Sequence, residues 1–224
     1  MIEENIWGYH RGLKIENSFI MYDCHYLFPD FIVEKVTNFE HNDNLYEVLC
    51  SLKKANTNDN LETYTVGGYQ THLDKPLTDQ KSTDKGMNKL YKIVLNKFVD
   101  KILKPAWNFY LSKSNIKLEK DDELLYKNWF VFYNKNSYQQ IHTHGGNLFT
   151  MIYFCKVPKI LNEKEGQLVI TDVKNKSKGV ESIYITPVET KLIIFPAYYP
   201  HYTLPIFSDE ERVVVVNDIY LRRT

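Results

Sequence analysis

The sequence has no excess charge: Lys+Arg and Asp+Glu balance at 28 each over 224 residues. A neutral chain has no global field to hold nucleic acid or an anionic membrane, so neither is an expected partner. No apolar run is long enough to cross a bilayer. Met1-Ile2-Glu3-Glu4-Asn5 lacks the basic and apolar regions of a signal peptide, which predicts a cytoplasmic protein. Cysteine is scarce. Cys24, Cys50 and Cys155 are an odd set with no CxxC pair, so reduced, buried thiols are expected rather than a disulfide framework. GxxxxGK[ST], GxGxxG and GxSxG are all missing, which leaves P-loop, dinucleotide-binding and serine-hydrolase readings without support. There is no repeat, flexible linker or low-complexity tail.

What is present points to strands. Seventeen Tyr and twelve Phe favour a half-buried pleated surface. Phe19–Tyr22, Phe31–Val33, Leu124–Tyr126, Trp129–Tyr133, Phe149–Val157, Gln167–Thr171, Leu192–Phe195 and Val213–Val216 read as short strands between turn residues. Phe149–Val157 is almost free of polar residues, so it should be buried on both faces. Gly67-Gly68 marks a bend or a close backbone approach. Leu45, Val48, Leu49 and Leu52 fall at helical spacing, with Asn42 or Asp43 as cap. A second helix is predicted over 83–104, with Met87, Leu90, Tyr91, Val94, Phe98 and Ile102 as its apolar stripe and Pro105 as its end. Val173–Glu181 reads as a charged hairpin loop. The expected architecture is mainly β: a jelly-roll sandwich or barrel with one or two helices outside it, in a single domain over 1–224. Within it, 1–120 supplies strands and helices that pack on the barrel, and 121–224 forms its core.

The chemistry gathers in three places. His142 and His144 are separated by one residue, so on a strand both rings point to one face and can reach one ion. Neutral imidazole suits iron, zinc, copper or nickel. His201 follows an apolar strand ending in Phe195-Pro196, within a segment braced by Pro196, Pro200 and Pro205, and offers a third ligand. Arg212 leads an all-Val strand. Glu210 and Glu211 could pair it at the surface, but an Arg feeding a buried strand needs a partner, and a carboxylate held by its planar fork would serve. Tyr198 and Tyr199 stand beside His201, as pocket-mouth or packing residues. His10, His25, His41 and His72 have no such pairing and read as structural.

At these residues the chain resembles the 2-oxoglutarate- and Fe(II)-dependent oxygenase superfamily. It is most similar to a branch common in marine bacteria and phages that carries a His-x-His metal motif. The features that carry the likeness, in order, are Phe28-Pro29, Gly67-Gly68-Tyr69-Gln70, Trp129 before the His pair, Tyr153 with Val157-Pro158, Gly166, the run Phe195-Pro196 to His201 and Pro205, and Arg212 with Asn217. The resemblance implies a double-stranded β-helix, a cupin-like jelly roll open at one end, with Fe(II) in its mouth and 2-oxoglutarate as cosubstrate. His142 and His201 match the superfamily's metal histidines, Arg212 matches the residue on the distal carboxylate, and Tyr153 and Asn217 join it as cofactor-binding positions. The implied activity is a dioxygenase, most simply hydroxylating an unidentified substrate, whether small molecule, nucleotide or peptide. The implied location is cytoplasmic, in a host cell if phage-encoded, with a homodimer left open.

His144 departs from the superfamily, which mostly carries Asp or Glu there. Three readings follow: a three-His site of His142, His144 and His201; a two-His site with His144 turned away; or a triad completed by a distant carboxylate such as Asp172. The i, i+2 geometry favours the first. Replacing a carboxylate ligand by imidazole adds one unit of charge to the centre, worth roughly 4 kcal/mol about 4 Å away at an effective dielectric near 20. Such a site should favour an anionic chelator and hold free Fe(II) less tightly than one with Asp. Two other functions compete: a cupin-like three-His dioxygenase without 2-oxoglutarate, and a non-enzymatic β-barrel stabilised by metal. Leu148 and Phe149, where cupins carry a Glu, count against the first, and Arg212 counts further against it. The absence of Cys ligands counts against a closed structural zinc site.

Overall fold

The computed structural model describes residues 23–27, 30–55, 64–71, 85–114, 116–119, 121–159, 162–172 and 181–223. Its spine is one long antiparallel pair. Strand β5, Asp122–Tyr133, is in register with β12, Arg212–Arg223, from Tyr133 opposite Arg212 to Asp122 opposite Arg223. Two expected strands, Leu124–Tyr126 and Trp129–Tyr133, are thus one, because the intervening Lys127 and Asn128 keep the pairing.

Five further strands complete this sheet: β1 (Asp23–Leu27), β2 (Asp30–Val36), β4 (Tyr69–Gln70), β7 (Phe149–Lys156) and β10 (Lys191–Pro196). Its order is β1-β2-β10-β7-β12-β5-β4. A second sheet is built from β3 (Thr65–Val66), β6 (Tyr138–His142), β8 (Leu168–Thr171), β9 (Ser182–Ile185) and β11 (His201–Thr203), in the order β3-β6-β11-β8-β9. All pairings in both sheets are antiparallel. The protein is a mainly β jelly roll of two facing sheets, as expected, and the described strands form no closed barrel. The first half of the chain does more than pack outside: β2 pairs with β10, β3 with β6 and β4 with β5.

Alternation along the strands makes two cores. One side of the seven-stranded sheet carries Phe31, Val33, Phe130, Phe132, Phe149, Met151, Tyr153, Leu192, Ile194, Val213, Val215 and Ile219. Against it lie the buried residues of α1 (Asn42–Ala55) and α2 (Lys85–Phe98), and those of a π turn (Val99–Leu103) and α3 (Lys104–Lys113) that carry the helix on. The other side carries Ile32, Trp129, Val131, Tyr133, Ile152, Phe154, Ile193, Phe195, Val214 and Val216, which meet Leu168, Ile170 and Ile185 of the smaller sheet. Because β7 is central and covered on both sides, it is buried throughout except at Lys156, as its apolar run predicts.

Three expectations need adjustment. Pro105 does not end the second helix. A proline lacks the amide proton an α turn needs at that point. The π turn Val99–Leu103 absorbs this, closing with Lys104 N–H on the Val99 carbonyl, and Pro105 then sits in the first turn of α3, where it is tolerated. Among the described residues three α-helices therefore flank the sheet rather than one or two. Asn42 stands at the start of α1, but its side chain is spent on β7: its amide donates to the Cys155 carbonyl, and its oxygen accepts from the Tyr153 phenol. Phe19–Tyr22 and most of the Val173–Glu181 loop lie outside the described residues. The close approach at Gly67-Gly68 is real. A Cβ on Gly68 would lie 2.5 Å from the Phe132 carbonyl oxygen, so no larger residue lets β4 reach β5. Cys50 and Cys155 are free thiols, and no helix among the described residues is long and apolar enough to cross a membrane.

Candidate metal centre

His142 ends β6 and His201 opens β11, and the two are direct cross-strand partners. His144 follows in the connection to β7, where its N–H donates to the Ala197 carbonyl at 2.9 Å, in the turn that leads to His201. The antiparallel register of β6 and β11 and this one bond bring three imidazoles together. One nitrogen from each lies within 4.8 Å of the others. The His142 and His201 ring centroids are 4.3 Å apart, and those of His144 and His201 are 4.9 Å apart.

The outward nitrogens fix the tautomers. His142 Nδ1 lies 2.8 Å from the Gln140 carbonyl and His201 Nδ1 lies 3.1 Å from the Tyr199 carbonyl. A carbonyl only accepts, so both Nδ1 atoms carry the proton and both Nε2 lone pairs face the centre. His144 Nδ1 faces a carboxylate, Asp218 Oδ1, at 2.6 Å, which has the same effect. His142 Nε2 and His144 Nε2 are 3.1 Å apart. Two lone pairs at that separation suit a shared cation. Burial also keeps two of the rings, His142 and His201, neutral. It pulls His142 down from 6.5 to about 4 and drives His201 well below 6.5, with the neighbouring imidazoles adding to the effect at His201.

Arg212 is 1% exposed, and its guanidinium lies over the Tyr133 ring, Cζ 4.1 Å from the centroid. Its Nη1 donates to the Gly166 carbonyl. Gly166 is required there: its φ is +63°, and a Cβ would press on Nη1 at 3.2 Å. Among the described residues Nε and Nη2 are buried with no partner, and so is the indole N–H of Trp129, whose ring centroid is 5.4 Å from that of His144. Desolvation lowers the Arg212 pKa, but a guanidinium stays a cation near neutral pH. The same burial raises the Tyr133 phenol, which donates to Gln139 Oε1 at 2.8 Å. One edge of a charged fork and one indole donor are thus buried and unspent, on the side of the sheet that faces the strands carrying His142 and His201. Buried donors without acceptors are costly, so a partner is called for. The residues fit both a divalent cation at the triad and an organic anion beside it.

The structure does not bring every expected residue here. Tyr153 lies on the helix-covered side of β7, its phenol 2.9 Å from Asn42 Oδ1. Asn217 shares the parity of Val213, Val215 and Ile219 and faces the same way, buried with both amide atoms unpartnered. Asp172 is outside the histidine group, and no carboxylate is in that group among the described residues. Asp218, Trp129 and Tyr133 are what the sequence reading missed as site residues. Strand alternation counted from Arg212 reaches Asp218 at an even step and Asn217 at an odd one, so the signal was present.

A jelly roll of two antiparallel sheets that gathers three imidazoles at one point has an arrangement suited to a single metal ion. Residues 127–218, which include every residue of the site, match the family described as "Putative 2OG-Fe(II) oxygenase". Over that segment, less than half of its length, the chain is similar to the 2-oxoglutarate- and Fe(II)-dependent oxygenases. A prolyl-4-hydroxylase from Pseudomonas putida is similar with a TM-score of 0.50 and 16% identity, over 86% of this chain and 92% of that one. A prolyl hydroxylase from Trichoplax adhaerens, solved with a hypoxia inducible factor peptide fragment, gives 0.56 and 15% over 84% and 82%. HygX from Streptomyces hygroscopicus, solved with nickel and 2-oxoglutarate, gives 0.52 and 8% over 84% and 82%. At these identities the likeness is one of fold. No curated protein sequence matches the chain.

Proposed function

We propose that His142, His144 and His201 hold one Fe(II) through their Nε2 atoms, and that the free Nε–Nη2 edge of Arg212 takes the distal carboxylate of 2-oxoglutarate. That buried, unpartnered edge carries the reading. A planar fork with one edge tied to Gly166 and the other free is shaped for a single bidentate carboxylate. It also counts against a three-His dioxygenase that uses no organic acid. Fe(II) with 2-oxoglutarate supplies the oxidising chemistry of the class, in which decarboxylation of the cosubstrate is coupled to oxidation of a second molecule.

The chain's own residues supply position and dryness. Tyr133 supports the guanidinium from one face. Trp129 offers its N–H to the cosubstrate between Arg212 and the triad. Val131, Val214 and Val216 keep water out of the path between them. Tyr153 and Asn217, on the other side of the sheet, contribute packing rather than contact. The substrate enters past Tyr64, which is 47% exposed and stacks on His142 at 4.7 Å. Similar structures hold a peptide fragment and hygromycin B, which makes a peptide or a small polar molecule the leading substrate classes, ahead of a nucleotide. The chain acts as one domain, with the first 120 residues shaping the substrate side. Free thiols at Cys50 and Cys155 suit a reducing, cytoplasmic location, that of a host cell should the gene be a phage's.

The test is an anaerobic titration with Fe(II) followed by 2-oxoglutarate, reading the visible charge-transfer band of the chelate. A band that saturates with 2-oxoglutarate and is lost in Arg212→Ala is expected. Iron bound without any band removes the cosubstrate assignment.

A further inference from the structure

The three imidazoles are not equivalent. His142 and His201 each give their Nδ1 proton to a neutral backbone carbonyl, of Gln140 and of Tyr199. His144 alone gives its proton to a carboxylate, Asp218 Oδ1, at 2.6 Å. The pair is enclosed, with each side chain 7% exposed. Asp218 is held from other directions as well. The Thr150 hydroxyl donates to its Oδ1 at 2.8 Å, and the Asn147 amide donates to its Oδ2 at 2.8 Å. Asn147 also donates to the His144 carbonyl at 3.1 Å, so one side chain ties the backbone of the ring to its carboxylate. No lysine or arginine neutralises Asp218 among these contacts. Of its three donors only the His144 Nδ1–H belongs to a ring of the triad, and the other two are neutral groups that hold the carboxylate in place.

Three neutral imidazoles contribute no charge, so a dication among them would keep its full charge in a buried site. A carboxylate one ring away lowers that charge, and its hydrogen bond strengthens the far nitrogen as a donor. We propose that Asp218 is a positioning residue that acts through His144: it supplies the negative charge of the metal centre from outside the coordination sphere and makes His144 the strongest of the three ligands. The charge of the centre is thereby set by a ring–carboxylate relay, and the site is one unit less positive than three histidines alone imply. This rests on the triad being the metal site.

The test reads Co(II) affinity and the visible Co(II) spectrum in the absence of 2-oxoglutarate and oxygen, with the melting temperature of the metal-free protein as control. Asp218→Asn keeps an acceptor for Nδ1–H and removes only the charge. It should weaken Co(II) binding 10- to 100-fold, the range for such outer partners, and shift the ligand-field bands, with little change in metal-free melting. Asp218→Ala, which loses the acceptor too, should weaken it further. Wild-type Co(II) affinity in Asp218→Asn overturns the charge role, and a loss there matched by His201→Ala being silent overturns the metal site with it. Wild-type affinity in Asp218→Asn beside a strong loss in His201→Ala overturns this inference alone.

Moving the charge gives an independent answer even if Asp218→Asn folds poorly. In His144→Asp the carboxylate stands in the ligand position, and Asp218 behind it becomes a like charge. His144→Asp/Asp218→Asn should then bind Co(II) at least as tightly as His144→Asp. A double variant that binds ten-fold more weakly than His144→Asp rejects the relay, because Asp218 would then serve the site in some way unrelated to the ring.

Discussion

Strand β12 sends Val213, Val215, Asn217 and Ile219 towards the helices and Arg212, Val214, Val216 and Asp218 towards the smaller sheet. The two rows belong to the same backbone, and both are buried. The helix-covered row lies in the same apolar cluster as Leu49 of α1, Phe98 of α2 and Tyr110 of α3, and apart from the Asn217 amide it is apolar. The row facing the smaller sheet begins and ends with charge. At one end Asp218 has a bonding partner at each oxygen. At the other, Arg212 keeps an edge of its guanidinium free. One face of the sheet is therefore apolar apart from Asn217, and the opposite face holds a buried cation with a free edge that a ligand could complete. Substitutions on the two faces should separate stability from binding.

The largest effect is expected on the helix side. Phe98 is fully buried, edge-on to Tyr153 at 4.8 Å and against Phe39 at 5.6 Å. Phe98→Ala should cost about 3–5 kcal/mol of unfolding free energy in urea titration. The folded fraction should still show the 2-oxoglutarate-dependent band with unaltered midpoint. A shifted midpoint would mean the faces are coupled through the sheet.

Arg212→Leu should give the inverse pattern. Losing one partner of a buried charge pair costs about 2–5 kcal/mol, so 2-oxoglutarate should bind more weakly by a factor in the tens to thousands. The ligand-free protein should melt no lower than wild type, because an unpaired buried guanidinium is replaced by a side chain that packs on Tyr133. A fall in melting temperature would place Arg212 in a structural role.

This inverse pattern bears on what the sequence discloses. The triad and Arg212 were legible because each rests on a local rule: i, i+2 on a strand, a Pro-braced strand end, a cation before a buried run. The jelly roll was legible from short apolar runs between turns. Tyr153 and Asn217 were assigned to the cosubstrate by likeness of motif, without counting parity, and both face the helices. Counting even steps from Arg212 gives Asp218. The π turn was not legible, since Pro105 reads as a stop wherever an α turn is assumed, and only tertiary packing pays for the wider turn. The carboxylate that serves His144 comes from 74 residues away, and no local pattern links them.

Acid should distinguish the faces too. His142 is held at about 4 in the fold, mainly by desolvation, against 6.5 when free, and His201 is also held low. The folded rings stay neutral while the unfolded chain takes up protons below 6.5. Stability of the metal-free protein is therefore complete above that pH and falls as pH drops towards 4. Each such ring contributes a slope of at most about 1.4 kcal/mol per pH unit, less for the partly exposed His142. Urea titrations at pH 7, 6 and 5 should show the fall in wild type and in Phe98→Ala, and a shallower one in His142→Phe. An equal slope in His142→Phe would assign the acid sensitivity to groups outside the triad.

The smallest effects test the two residues on the far side of the sheet. Tyr153→Phe removes one phenol bond to Asn42 and should cost about 1 kcal/mol, with the charge-transfer titration unchanged. Asn217 is the sharper case. Its amide is fully buried between Asn128 of β5 and Met151 of β7 in the register, and neither polar atom has a partner. An unpaired buried amide is a cost, so a shape-matched apolar replacement should be neutral or stabilising by about 1 kcal/mol. Asn217→Leu is thus expected to raise the melting temperature slightly and leave 2-oxoglutarate binding alone. If the cosubstrate midpoint moves instead, β12 transmits from its helix side to its ligand side, and the separation of the two faces fails at the one polar residue placed to break it.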